Sequence, residues 1–209
     1  MRDLLALVRG RMFRMWCGLT GRNVQIGRGL RIYKKVSISG TGRIEIGENC
    51  IMAGIRGDSS QYVCLETLNP EAVIQIGDDA SLYAARIAAK FRIVIGNNVL
   101  IEEAGIMDTD YHSIAKDRVT PASEKEEKCR VTVGNRVCMG ARSSILKGTT
   151  IGDDVIIAPG SIVTMSVKPG SMVAGNPAKI FSEQPKVQGQ QQSGFPQPHV
   201  PLFPLEQAH

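Results

Sequence analysis

From Val133 onward an apolar residue recurs every six positions, at Val133, Met139, Ile145, Ile151, Ile157 and Val163. Four residues further on in each step stand Val137, Ser143, Thr149, Val155, Ser161 and Val167, all small or branched. Neither the helix period of about 3.6 nor the strand period of two produces that register, whereas a solenoid whose flat sides are each one hexapeptide long does. Each side then turns one aliphatic side chain inward, and the small residue fits the crowded corner. Upstream, an apolar-x-apolar-Gly step appears at Val24 to Gly27, Ile44 to Gly47, Ile74 to Gly77, Ile93 to Gly96 and Val131 to Gly134. The spacing loses its regularity between Met52 and Ile74 and again between Met107 and Val131, which predicts loops leaving the coil at both places. The chain therefore reads as an all-β solenoid of stacked coils over residues 22–181.

The two ends follow other patterns. Residues 1–21 read as a basic amphipathic helix, with Leu4, Leu5, Val8, Met12, Met15 and Trp16 within an arc of about 120°. Arg2 and Arg9 flank the arc on one side, Arg11 and Arg14 on the other. The arginines exclude a signal-peptide core, and no apolar run reaches the roughly 20 residues of a membrane span. Two expectations stay open: that the helix caps the open end of the solenoid, or that residues 1–20 lie peripherally on anionic membrane. Residues 182–209 form a Pro/Gln-rich tail, expected to be extended, and it holds His199 and His209.

Composition sharpens this picture. Glycine is plentiful, at 22 residues, and aromatics are scarce, at 5%, which suits a core of small and branched side chains. The net charge of +5 is concentrated in residues 1–35, which carry nine Arg/Lys against Asp3 and leave about −3 for the rest. Anionic lipid or phosphorylated ligands fit such a patch; nucleic acid is not expected as a partner, because its usual motifs are absent. Five cysteines (17, 50, 64, 129, 138) form no CxxC, so neither a disulfide framework nor a zinc cluster is indicated, and a reducing cytoplasm is the simplest home.

The run MGARSSILKGTTIGDDVIIAPGSIVTMSVKPGSMVAGNPAKIF, preceded by IGNNVLIEEAGIMDTDYHSI, resembles the hexapeptide-repeat acyltransferases, most closely their sugar and polysaccharide O-acetyltransferase branch. The likeness covers roughly residues 22–181, and the AGNPAK ending is among its most specific marks. It implies a left-handed parallel β-helix, a homotrimer with active sites between subunits, and acetyl-CoA as donor. Periodicity alone gives none of these.

Within the frame of that resemblance, His112 is the expected general base. Moving an acetyl group from a thioester to a sugar hydroxyl requires a group to take the hydroxyl proton, and histidine is best matched to that task near neutral pH. His112 stands in DTDYH, where the repeat breaks. Asp108 and Asp110 are candidates to orient the imidazole or hold an acceptor hydroxyl. For the donor, the resemblance carries over onto Gly140, Ala141, Ala158, Gly160, Thr164 and Lys179, with a backbone amide near Gly140 and Ala141 as candidate oxyanion donor. The segment Ser113–Arg130 reads either as a solvated loop or as an arm over the acceptor. Departures from the family pattern fall at Cys138, at Met165 and at Ala84 or Ala85, the last where simple sugar acetyltransferases carry an acceptor-binding asparagine; Glu102 and Glu103 replace small residues. No metal site is expected, since a γ-type carbonic anhydrase needs three histidines and the repeat region has one.

The function these features point to is an acetyl-CoA-dependent O-acetyltransferase acting on a sugar of a surface polysaccharide, capsule or lipopolysaccharide, in the cytoplasm or peripherally on the cytoplasmic face of the inner membrane. The alternatives are N-acylation of a nucleotide-linked amino sugar, and a trimeric scaffold without catalysis.

Overall fold

A computed structural model of the chain describes residues 1–55, 58, 60–111 and 125–183. A helix, α1 (Arg2–Leu19), precedes coils of three short strands each. The first coil is β1 (Val24–Ile26), β2 (Arg31–Ile32) and β3 (Val36–Ser39), and the second β4 (Arg43–Ile46), β5 (Ile51–Ala53) and β6 (Val63–Thr67). The third is β7 (Val73–Ile76), β8 (Ser81–Tyr83) and β9 (Arg86–Ala89), and the fourth β10 (Arg92–Ile95), β11 (Leu100–Glu102) and β12 (Gly105–Met107). After a short helix, α2 (Glu126–Cys129), come β13 (Val131–Val133), β14 (Cys138–Met139) and β15 (Ser144–Ile145), then β16 (Thr150–Ile151), β17 (Ile156–Ile157) and β18 (Ile162–Val163). A closing hairpin pairs β19 (Ser171–Gly175) with β20 (Ala178–Glu183) antiparallel.

Strands of successive coils stack in parallel into three sheets: β1-β4-β7-β10-β13-β16, β2-β5-β8-β11-β14-β17-β19-β20 and β3-β6-β9-β12-β15-β18. The six-residue step maps onto them one residue per strand. Val133, Met139, Ile145, Ile151, Ile157 and Val163 fall in β13 to β18 in turn, and all are buried, as are the small or branched residues four positions further on. The five apolar-x-apolar-Gly steps are the first-sheet strands aligned in register, Val24 on Ile44 on Ile74 on Ile93 on Val131.

The glycines that end those strands form a ladder whose rungs leave no room for a side chain. A Cβ at Gly77 would lie 2.7 Å from the Gly96 carbonyl carbon, and one at Gly96 would lie 2.7 Å from the Gly134 oxygen. Beside the glycines runs a second ladder, of Asx side chains. The amide of Glu48 donates to Asp78 Oδ1, that of Asp78 to Asn97, that of Asn97 to Asn135, and that of Asn135 to Asp153, at 2.7–2.9 Å. These carboxylates and carboxamides satisfy corner amides that the parallel ladder leaves unpaired.

At the N-terminal end α1 lies against β1 and β2. Its contact face is Ala6, Gly10 and Cys17, all buried, with Phe13 packed beside them, and Cys17 joins the same core as Ile26, Leu30 and Ile32. A Cβ on Gly10 would fall 1.9 Å from the Leu30 oxygen, so a glycine is needed for this approach. The helix does cap the solenoid, but not through the apolar arc expected from the wheel, which faces outward.

Candidate active site

Two loops leave the stack beside the third sheet. The first joins β5 to β6 and is tied down by Lys34, whose ammonium donates to the carbonyls of Ile55 and Asp58. The second follows β12, and the described chain resumes at Lys125 before α2, which Arg92 holds by an ion pair to Glu126 at 3.1 Å. Near both, the outer face of the third sheet carries a cleft of about 470 Å³. On its floor the strand register aligns Cys64, Arg86, Gly105 and Ser144, one per coil. Gly105 is unlike the ladder glycines. A Cβ there would come no closer than 3.5 Å to any neighbour, so neither a turn nor a close approach requires it, and its bare Cα keeps the floor low between Arg86 and Ser144.

Charges of both signs line the cleft: Glu66, Arg86, Glu103 and Arg142, with Arg142 Nε 3.7 Å from Glu103 Oε1. Such a lining suits a polar ligand with many hydroxyls. The buried hydroxyl of Ser143, which has no hydrogen-bond partner among the described residues, also borders the space. Sequence reasoning passed over Arg86, Arg142, Glu66 and Gly105. A signal exists, in the outward-facing strand positions Cys64, Arg86, Gly105 and Ser144 brought level by the register, but their separations of 22, 19 and 39 residues vary with the loops.

The residues of DTDYH separate into different tasks. Asp108 is fully buried, and its carboxylate accepts the amides of Lys90 at 2.6 Å, Phe91 at 2.8 Å and Arg92 at 2.7 Å. Burial pushes its carboxyl up while those amides pull it down. With its oxygens taken by these three amides, Asp108 clamps the turn into β10. Asp110 is half-buried and ion-paired with Lys147. Tyr111 has a positive φ of 61°, is 48% exposed and lines the cleft. His112 follows it directly but lies outside the described residues, as do residues 113–124 of the expected arm.

The donor residues are brought together only in part. Gly140 and Ala141 end one coil corner and Ala158 and Gly160 the next, joined by a 2.9 Å bond from the Gly160 amide to the Ala141 oxygen. The Gly140 amide is spent on Ile157 O at 2.9 Å and the Ala158 amide on Val173 O, which removes Gly140 as an oxyanion donor. The Ala141 amide donates to no acceptor among the described residues and keeps that capacity. Space is open around Gly160, at φ +71°. Thr164 and Lys179 are exposed but elsewhere, after β18 and in β20. Ala84 and Ala85 are buried and cannot reach an acceptor. Burial pushes the Cys138 thiol up, so it is no ready nucleophile. Among the described residues no group of three His, Cys, Asp or Glu is placed to hold a metal.

No family model matches the chain. Among curated proteins it is similar to galactoside O-acetyltransferase of Escherichia coli, 31% identical over 97 residues, which is 46% of this chain and 47% of that one. It is also similar to 2,3,4,5-tetrahydropyridine-2,6-dicarboxylate N-acetyltransferase of Staphylococcus aureus, 41% identical over 58 residues, or 28% and 24% of the two chains. The matched part thus spans about half or less of these relatives. Among solved structures, a polysialic acid O-acetyltransferase superposes with a TM-score of 0.61 at 24% identity, over 77% of this chain and 74% of that one. A Bacillus cereus N-acyltransferase in complex with dTDP-4-amino-4,6-dideoxyglucose and coenzyme A gives 0.61 at 18% identity, over 82% and 89%. The relatives and neighbours are hexapeptide-repeat acyltransferases, and the fold matches their left-handed parallel β-helix.

Proposed function

We propose that this chain transfers an acetyl group from acetyl-CoA to a hydroxyl of a sugar unit in surface polysaccharide, capsule or lipopolysaccharide synthesis, as a homotrimer working in the cytoplasm. The observation that carries this reading is the cleft, lined by charges of both signs, whose wall includes Tyr111, the residue immediately before His112. Coenzyme A, when bound, supplies the acetyl group as a thioester. His112 takes the proton of the acceptor hydroxyl as its oxygen attacks the thioester carbonyl, and returns that proton to the departing sulfur. The Ala141 amide donates to the carbonyl oxygen as charge gathers there. Gly140, Ala141, Ala158 and Gly160 leave a slender path for the pantetheine arm, Thr164 and Lys179 meet the outer part of the donor, and Asp110 with Lys147 steadies the loop that carries His112.

The test is release of free coenzyme A thiol from acetyl-CoA across a panel of sugars and oligosaccharides. His112→Ala should lower kcat by about 10²–10⁴ while leaving acetyl-CoA binding unchanged. Gly105→Leu should raise KM for the acceptor or abolish turnover with unchanged donor binding. Absence of acetyl-CoA binding by the wild-type chain sinks the reading and favours a scaffold. The N-acyltransferase reading draws on the amino-sugar complex of the neighbour; it predicts turnover with nucleotide-linked amino sugars and a smaller loss in His112→Ala, since an amine needs less help from a base.

A further inference from the structure

The cap helix has two working faces. Ala6, Gly10 and Cys17 meet the solenoid, and on the helical wheel their direction is roughly opposite that of Leu4, Leu5, Val8, Met12, Met15, Trp16 and Leu19. All seven of these are exposed, Met12 at 60%, Met15 at 63% and Leu19 at 79%. Most of the large apolar side chains exposed among the described residues are on this helix. A folded chain rarely leaves so continuous an apolar stripe to water without a use for it. Tyr33 donates to Asp3 at 2.6 Å, and Arg9 donates to the Tyr33 carbonyl at 3.2 Å, so the helix is bound to the first coil in this orientation.

The charges name the partner. Arg2 and Arg9 border the stripe on one side, Arg11 and Arg14 on the other, and all four are exposed. Arg22 lies over the Trp16 ring at 4.6 Å, and Arg28 and Lys35 in the adjoining coil add exposed positive charge. An apolar stripe between two basic borders is complementary to anionic headgroups above acyl chains. A second copy of the same helix would set arginine against arginine. The last described strand, β20, lies at the opposite edge of the sheet that begins with β2. No described helix is long and apolar enough to cross a membrane. We infer that α1 docks the protein flat on an anionic membrane through Leu4, Leu5, Val8, Met12, Met15, Trp16 and Leu19, with the solenoid standing away from the surface.

Trp16 is the sequence's single tryptophan, which makes it a built-in probe. Trp16 emission and co-sedimentation would be followed with vesicles of phosphatidylcholine alone and of phosphatidylcholine with phosphatidylglycerol. The expected result is a blue shift and co-sedimentation with the anionic vesicles, weakened by salt. Arg11→Gln and Arg14→Gln should each lower partitioning about fivefold. Met12→Glu/Met15→Glu should abolish binding while melting with wild-type cooperativity, because both side chains are exposed. A blue shift that grows with protein concentration without vesicles, alongside a rising mass, would assign the stripe to a second copy and overturn the proposal. So would a spectrum and sedimentation unchanged by anionic vesicles. Each result holds whether or not the cleft transfers an acyl group.

Discussion

Replacing Asp108 by alanine would strand the amides of Lys90, Phe91 and Arg92 away from water, each with its desolvation cost unrecovered. Unfolding in urea should show a loss of about 3 kcal/mol or more, and less for Asp108→Asn, which keeps one acceptor oxygen. Asp154 gives a contrasting case. Arg136 donates to both its oxygens, at 2.7 and 2.8 Å, and holds its carboxyl below the usual carboxylate range. Both side chains are well exposed, so Asp154→Asn should cost less than about 1 kcal/mol. Because the folded-state value is the lowered one, that cost should be full at neutral pH and disappear as pH falls through the carboxylate range, in paired melts of the two proteins. The DTDYH motif was legible as the place where the repeat breaks, but not as a division of labour. Which aspartate turns inward depends on three amides 16 to 18 residues earlier, and nothing in the motif's composition marks that choice.

Elements were legible wherever a residue's role repeats coil after coil. Val133 to Val163 could be read because each occupies the same position in its strand, and the glycine steps because each rung excludes a Cβ for the same reason. The contrast between two glycines tests that account: Gly96→Ala should lose about 2–3 kcal/mol, since the stacked Gly134 backbone cannot yield, whereas Gly105→Ala should melt within about 0.5 kcal/mol of wild type. The cleft was not legible because its residues face outward, where no periodic demand constrains them, and come from coils separated by unequal loops. The helix was half legible. Its wheel correctly predicted a stripe, but the side that docks was chosen by closeness of approach: Gly10 admits the Leu30 carbonyl where a large side chain would hold the helix off the end of the core.

At the scale of the whole molecule, the proposed trimer makes a direct demand, that light scattering in solution return three times the 22.6 kDa chain. A monomer would remove the neighbouring subunit from the site and with it the assembly part of the proposal. Parallel stacking also gives the cleft a unit of length. Its floor is crossed by β6, β9, β12 and β15, one strand per coil, and neighbouring strands lie about 4.8 Å apart. The distance between the two loops that leave beside it is therefore counted in whole turns of the solenoid and cannot be adjusted continuously. Removing or adding one complete turn between the loops would keep the inward ladder intact and move the cleft's edges by a single increment. A fold of this kind can evolve the reach of its binding site as a ruler gains or loses a division.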